Sequence, residues 1–111
     1  MKIKCKKETI LSGFQQVQSV VSSKSTLPVL SNVLIETDED KITLYTTDLE
    51  VGMKLSIPAT ILEQGKSTLP AKRMYNIIKE LSVNEFELAI DEKNTASINS
   101  GTAFFKVIGL P

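Results

Sequence analysis

The chain of 111 residues is 41% hydrophobic and 23% charged, and its 13 basic and 13 acidic side chains give a formal net charge of zero. This length predicts a single domain, and the balanced charge argues against a protein that coats nucleic acid with its whole surface but allows a local basic patch. Histidine and tryptophan are absent, which excludes histidine-based metal sites and the commonest general base.

The N-terminal residues and the cysteine content indicate where the protein works. No apolar run approaches the ~20 residues that span a bilayer, and MKIKCKK lacks the continuous apolar region of a signal peptide. Cys5 is the single cysteine of the sequence, so no intrachain disulfide is available. These features predict a cytoplasmic protein in which Cys5 faces inward from a strand.

The first half of the chain predicts a strand, a helix and three further strands. MKIKCKK alternates with period two, as a strand does. In ETILSGFQQVQSVVSS the apolar residues fall at helical spacing and the opposite face is polar but uncharged; these apolar residues are Ile10, Phe14, Val17 and Val21. The strands PVLSNVLIET, KITLYTT and VGMKLSI follow, with TDED as a turn.

The second half repeats this order after a boundary between Pro58 and Gly65. KSTLP predicts a strand, AKRMYNIIKELS a helix, and FELAI, TASIN and AFFKVIG three strands. The buried side of this helix is predicted to carry Met74, Ile77, Ile78 and Leu81. Two strand–helix–three-strand repeats predict an α+β domain with internal pseudo-twofold symmetry, in which both helices lie side by side on antiparallel sheets.

The acidic residues give little sign of catalysis. Asp48 and Glu50 lie two positions apart, so on a strand they share a face, and paired carboxylates bind Mg²⁺ or transfer protons. The sequence offers them no third acid and no glycine-rich phosphate loop. Without histidine, and without an SxxK or GxSxG motif, a serine nucleophile is also disfavoured. We therefore predict no catalytic residue, no cofactor and no metal site.

Three basic residues stand out by their positions. Lys24 lies in SSKSTLPVL, within a stretch from Thr9 to Ile35 that contains no acid. Lys72 and Arg73 fall in the first turn of the second helix, where positive charge opposes the macrodipole. Such a placement indicates either an anionic partner or screening by solvent, and spacing alone leaves both open.

Three segments together carry a family resemblance: KSTLPVLSNVLIE, TLYTTDLEVGM and TLPAKRMYNIIKEL. The chain resembles the bacterial DNA polymerase III beta subunit, the sliding clamp, and residues 1–111 match its first domain. The resemblance implies three domains of similar fold and two subunits that close a ring around duplex DNA. It also implies helices lining the hole, sheets on the rim, a homodimer, and no catalytic activity.

The resemblance further implies partners and places for them. It implies that the clamp tethers the replicative polymerase, and that polymerase and clamp loader bind through a hydrophobic pocket in domains that are absent from this chain. It further implies DNA binding that is independent of sequence and a cytoplasmic, nucleoid-associated protein.

The resemblance also assigns residues. Lys24, Lys72 and Arg73 match basic positions that face DNA. Helical phase adds Lys79, Gln15 and Gln16 to the same surface. Phe105 and Val107 match apolar residues of an edge strand that pairs with the third domain of the partner subunit, and the alternative for both is an ordinary core position.

Two other functions remain open at this point. One is a small α+β protein-interaction domain without a nucleic-acid role, suggested by the neutral charge and the Phe104–Phe105 edge strand. The other is a metal-dependent hydrolase that uses Asp48 and Glu50.

Overall fold

Both predicted repeats are present in the computed structural model, which describes residues 1–20, 32–47, 52–101 and 103–109. This part of the chain forms two helices and nine strands. In chain order these are β1 (Lys2–Lys6), α1 (Lys7–Val20), β2 (Asn32–Asp38), β3 (Lys41–Thr47), β4 (Gly52–Pro58), β5 (Thr60–Glu63), β6 (Lys66–Pro70), α2 (Ala71–Glu80), β7 (Glu85–Ile90), β8 (Thr95–Ser100) and β9 (Ala103–Ile108). The predicted α+β class, with two helices on antiparallel sheets, is confirmed.

The two sheets exchange their first strands between the repeats. One sheet has the order β5-β1-β7-β8-β9 and the other β4-β3-β2-β6, with every pairing antiparallel. Strand β1 of the first repeat therefore pairs with β7 of the second, with Ile3 opposite Leu88. Strand β6 of the second repeat pairs with β2 of the first, with Val33 opposite Leu69. Each sheet therefore contains strands of both repeats.

Strand β5 was not predicted. It lies in the boundary segment between Pro58 and Gly65 and pairs with the outer edge of β1, with Ile3 opposite Ile61. Of its four residues only Ile61 packs on the core, and Leu62 is exposed. A single inward residue gives too little periodicity to separate a short edge strand from a linker.

The helices bury the stripes that their spacing predicted. Ile10, Phe14 and Val17 of α1 are at most 1% exposed, as are Met74 and Ile78 of α2. Val21 lies outside the described residues. The predicted second helix ends earlier than expected: Leu81 is extended, and Ile77 packs at the margin of the core.

Cys5 faces the core as predicted. Its side chain is almost fully buried. Burial of the Cys5 thiol and, as the smaller cause, the negative charge of Glu85 together raise its pKa from 9.0 to about 12. The thiol therefore stays protonated and unreactive near neutral pH.

The turn at Asn94 joins the two sheets. Asn94 adopts a left-handed backbone conformation with φ 61°, and its side-chain oxygen accepts a 2.9 Å hydrogen bond from the Ser67 hydroxyl of β6. Its carbonyl accepts a 2.8 Å bond from the amide of Gly109, just beyond β9. The chain after β9 is thus held against β6 of the other sheet.

Candidate nucleic-acid interface

The two helices pack against each other in antiparallel orientation. The backbone amide of Lys7, the first residue of α1, donates a 2.8 Å hydrogen bond to the carbonyl of Asn84. The ammonium group of Lys7 donates to the carbonyl of Leu81, just after α2. The start of α1 therefore lies beside the end of α2, and α1 and α2 contact each other along the pair.

Each helix presents one polar face to solvent. On α1 the exposed side chains recur at helical spacing: Glu8, Ser12, Gln15, Gln16 and Ser19. On α2 they do the same: Lys72, Arg73, Asn76, Lys79 and Glu80. These ten residues are called the helix-pair face below. The opposite side of α1 packs on β3 and β4, and α2 packs on β6 and β9.

The antiparallel packing brings the glutamines of α1 beside the basic pair of α2. Gln16 lies nine residues beyond Lys7, and Lys72 lies nine residues before Leu81. At a rise of about 1.5 Å per residue, both positions are ~13 Å from the contact that joins the helix ends. Gln15 and Arg73 are level by the same count. The acids Glu8 and Glu80 lie at the other end of the helix-pair face.

The charges of the helix-pair face are unevenly placed. Lys79 in the last turn of α2 complements the helix macrodipole, and so does Glu8 in the first turn of α1. Lys72 and Arg73 oppose it, since α2 has no acid in its first turn. Local electrostatics within α2 therefore disfavours these two cations by a few tenths of a kcal/mol, and an anion bound at this end would reverse the sign.

The cations of the helix-pair face have no ionic partner among the residues that the structure describes. The ion pairs found there join Met1 to Glu63, Lys2 to Glu87 and Lys41 to Asp38. None involves Lys72, Arg73 or Lys79. These three head groups are exposed and available to an external anion.

The structure brings most of the predicted DNA-facing residues together. Gln15, Gln16, Lys72, Arg73 and Lys79 all lie on the helix-pair face. Lys24 lies outside the described residues, as do Asp48 and Glu50. Sequence reasoning passed over Asn76, although it falls four positions after Lys72 and its helical phase was sufficient to find it.

The predicted interface residues lie on the inner side of β9. This strand forms one edge of the five-stranded sheet and pairs with β8 alone among the described strands. Val107 is 2% exposed and Phe105 packs against the core. The other side of the strand carries Phe104, 55% exposed, and Ile108, 78% exposed. The alternation of the sequence predicts that Phe105 and Val107 share one side of β9 and that Phe104 and Ile108 share the other. It does not predict which side faces the core.

Groups suited to other chemistry were not found within the described ranges. No cluster of three or more cysteine or acidic side chains there is arranged to hold a metal ion. No helix in the same ranges is long and apolar enough to cross a membrane.

Comparisons with known proteins identify the fold and the family. The profile described as "DNA polymerase III beta subunit, N-terminal domain" matches residues 1–111. The beta sliding clamp of a Synechocystis species is 37% identical over 118 residues, which cover 99% of this chain and 30% of that protein. The crystal structure of the DNA polymerase III subunit beta from Pseudomonas aeruginosa superposes with a TM-score of 0.93 at 30% identity, over 100% of this chain and 30% of that one. A Caulobacter crescentus pol III beta structure gives the same TM-score, identity and coverage.

The fold and the helix-pair face therefore define a clamp-type domain. The chain belongs to the DNA polymerase III beta subunit family and corresponds to its N-terminal domain. It spans about 30% of the length of the relatives that it matches.

Proposed function

We propose that this chain is the first of three domains of a DNA sliding clamp, which encircles duplex DNA and keeps the replicative polymerase on its template. The observation that carries the proposal is the helix-pair face, where exposed cations without ionic partners lie beside uncharged glutamines. Within the clamp, this face lines the hole and meets the phosphate backbone.

The composition of the helix-pair face suits a protein that slides. Contacts to base edges specify sequence, whereas contacts to phosphate do not. Gln15 and Gln16 exchange hydrogen bonds readily between phosphate and water, and Lys72 and Arg73 attract phosphate without reading bases. A dense lysine lining would bind more tightly, because each neutralised phosphate adds to affinity through counterion release. A sparse lining therefore favours diffusion along the duplex.

The remaining roles follow from the clamp. The protein has no catalytic function of its own, acts in the cytoplasm at the nucleoid, and forms a homodimeric ring when full length. Polymerase and clamp loader bind through the other two domains. Lys24, which belongs to the same set of basic residues by resemblance, contacts DNA from the segment between α1 and β2.

Strand β9 is proposed as the edge that meets the third domain of the partner subunit. An unpaired edge strand offers backbone amides and carbonyls to another strand. The side chains of Phe105 and Val107 pack inward and hold β9 in place. The backbone of β9 forms the hydrogen bonds to the strand of the partner subunit.

Retention on circular DNA tests the clamp directly. The full-length protein is loaded onto a nicked circular duplex by its clamp loader and passed through a sizing column at high salt. We expect the protein to remain with the circle and to be lost after the circle is linearised, because a ring is held by topology rather than by affinity. Equal loss from circular and linear DNA would contradict encirclement.

One observation supports a second candidate, a protein-interaction domain without a nucleic-acid role. Phe104 and Ile108 are exposed on the same face of β9, as expected at a protein contact. Salt-dependent binding of the full-length protein to duplex DNA separates the two functions, since an interaction domain would show none.

A further inference from the structure

Asn94 and Ser67 form a side-chain link between the two sheets of the domain. Ser67 lies in β6 of the four-stranded sheet and is 4% exposed. Its hydroxyl donates a 2.9 Å hydrogen bond to the side-chain oxygen of Asn94, which directly precedes β8 of the five-stranded sheet. Because a buried hydroxyl without a partner is costly, the burial of Ser67 holds Asn94 against β6.

The backbone of Asn94 extends this link to the end of β9. Its carbonyl oxygen accepts a 2.8 Å hydrogen bond from the amide of Gly109, the residue after β9. Gly109 also lies directly on β6, because a Cβ atom built on it would come within 2.2 Å of the carbonyl oxygen of Thr68. Ile108, the last residue of β9, pairs with Thr95 of β8. The C-terminal end of β9 is therefore fixed to both sheets.

The first repeat makes the same backbone bond but cannot make the side-chain bond. The carbonyl oxygen of Asp40, just before β3, accepts a 3.1 Å hydrogen bond from the amide of Ala59, just after β4. Ser67 is the second residue of β6, and the second residue of β1 is Ile3, which has no hydroxyl. Duplication of the fold therefore does not account for the side-chain bond, which belongs to the repeat that ends in β9.

Strand β9 is the edge assigned above to the partner subunit, and its position makes it prone to fraying. Among the described strands it pairs with β8 alone. Its outward side chains Phe104 and Ile108 are 55% and 78% exposed. Strand ends with few buried contacts open most easily. Each residue that frays in a free subunit has to be ordered again when the subunits join, and this cost weakens the contact between them.

We propose that Asn94 and Ser67 are positioning residues for ring closure, an assignment that rests on the clamp proposed above. Their hydrogen bond keeps the end of β9 extended, so that the strand is ready to pair with the partner subunit. The bond forms within one subunit and acts through the β9 backbone. It thereby lengthens the time for which the ring stays closed on DNA.

The expected effect follows from the number of subunit contacts in the ring. Removal of one neutral buried hydrogen bond changes an equilibrium about fivefold. Opening of the ring breaks one contact, so the half-life of the closed ring should shorten about fivefold without the bond. Separation of the two subunits breaks both contacts, so the dissociation constant of the dimer should rise about 25-fold.

Two variants of the full-length protein remove the bond from opposite sides. Asn94→Gly deletes the side-chain oxygen but keeps the carbonyl that Gly109 uses, and glycine readily adopts the φ of 61° found there. Ser67→Ala deletes the hydroxyl donor. Each protein is labelled, loaded onto a nicked circular duplex and challenged with excess unlabelled protein. Both variants and their combination should lose the label about fivefold faster than the wild type, since all three lack the same bond.

Asp40→Gly is the matched control, because it alters the equivalent turn of the first repeat, which supports the end of β4 rather than that of β9. Its label should be lost at the wild-type rate. Unfolding in urea is measured on the same proteins. A bond that only stabilises the fold would lower the unfolding midpoint and leave the loss of label unchanged, and this result would overturn the positioning role.

The outcomes separate the positioning role from the clamp. A wild type that stays on the circle, with Asn94→Gly and Ser67→Ala retained equally long, refutes the positioning role alone. Equal acceleration by Asp40→Gly also refutes it, because the effect would then not belong to β9. Should one of the two variants fail to fold, the other decides. A wild type that leaves circular and linear DNA equally fast refutes the clamp, and the positioning role with it.

Discussion

Removal of the basic pair of α2 is the sharpest test of the helix-pair face. In the full-length protein, Lys72→Ala combined with Arg73→Ala deletes two exposed cations that have no ionic partner among the described residues. Lys72 and Arg73 lie at the end of the helix-pair face that carries no acid. Their removal therefore leaves no carboxylate without a neighbouring cation. We expect weaker binding to duplex DNA that is the same for every DNA sequence, because phosphate contacts carry no sequence information.

The size of the effect follows from the number of contacts. Each phosphate contact contributes about 0.9 to the slope of log K against log salt, so two lost contacts lower the slope by about 1.8. On raising the salt fourfold, from ~50 to ~200 mM, the wild type then loses about twelvefold more affinity than the variant. If both subunits of the ring contact DNA at once, four contacts are lost and the slope of log K against log salt falls by about 3.6. Lys79 is ~10 Å farther along α2, and we expect it to make a separate contact, so its removal should lower the slope further by about 0.9.

The assay is a fluorescence titration of a labelled duplex at four or more salt concentrations. Lys66→Ala serves as the matched control, since it removes an exposed cation from β6, away from the helices. We expect no change of slope there. Glu80→Gln is expected to tighten binding, because it removes a repelling carboxylate beside Lys79. A slope that is unchanged in the Lys72 and Arg73 double variant would refute the placement of these side chains on phosphate.

Three further predictions concern the fold. Gly109→Ala should lower the free energy of unfolding by about 1–3 kcal/mol in urea titrations, because the added Cβ meets the carbonyl of Thr68; an unchanged midpoint would show that this backbone moves freely. The pKa of Cys5 is raised from 9.0 to about 12 in the folded state, so the unfolded chain loses its thiol proton first. Stability should therefore fall by about 1.4 kcal/mol per pH unit between these values, and Cys5→Ala should remove that slope; rapid alkylation of the native thiol at neutral pH would contradict its burial. Val107→Ala should cost about 1–3 kcal/mol and Ile108→Ala within about 0.5 kcal/mol, as their exposures of 2% and 78% require; equal costs by thermal unfolding would mean that β9 is turned over.

The helices and most strands could be predicted because their signals are local. Phe14 and Val17 recur at helical spacing, and burying such a stripe requires nothing beyond the order of residues along the chain. β5 was missed because only Ile61 of its four residues faces the core. The inward side of β9 could not be predicted either, since Phe104 and Phe105 are chemically identical and only packing against β8 and α2 distinguishes them.

For the candidate site too, the sequence predicted the local features, and only the tertiary structure showed how they combine. Helical phase placed Lys72, Arg73 and Lys79 on one face of α2 and Gln15 and Gln16 on one face of α1. That these two faces form a single surface depends on the antiparallel contact at Lys7, which joins residues more than seventy positions apart. The role of Lys24 stays a prediction from the family resemblance.

The sequence by itself determined the duplicated plan, the buried stripe of each helix and the sparse set of cations, because all three are properties of residue spacing and type. Only the tertiary structure decided that β1 pairs with β7 and β6 with β2. Hydrogen bonds between strands are formed by any backbone, so the choice of partner is made by whichever arrangement buries both helix stripes at once. That exchange of strands sets α1 and α2 side by side and brings the glutamines of the first repeat level with the basic pair of the second.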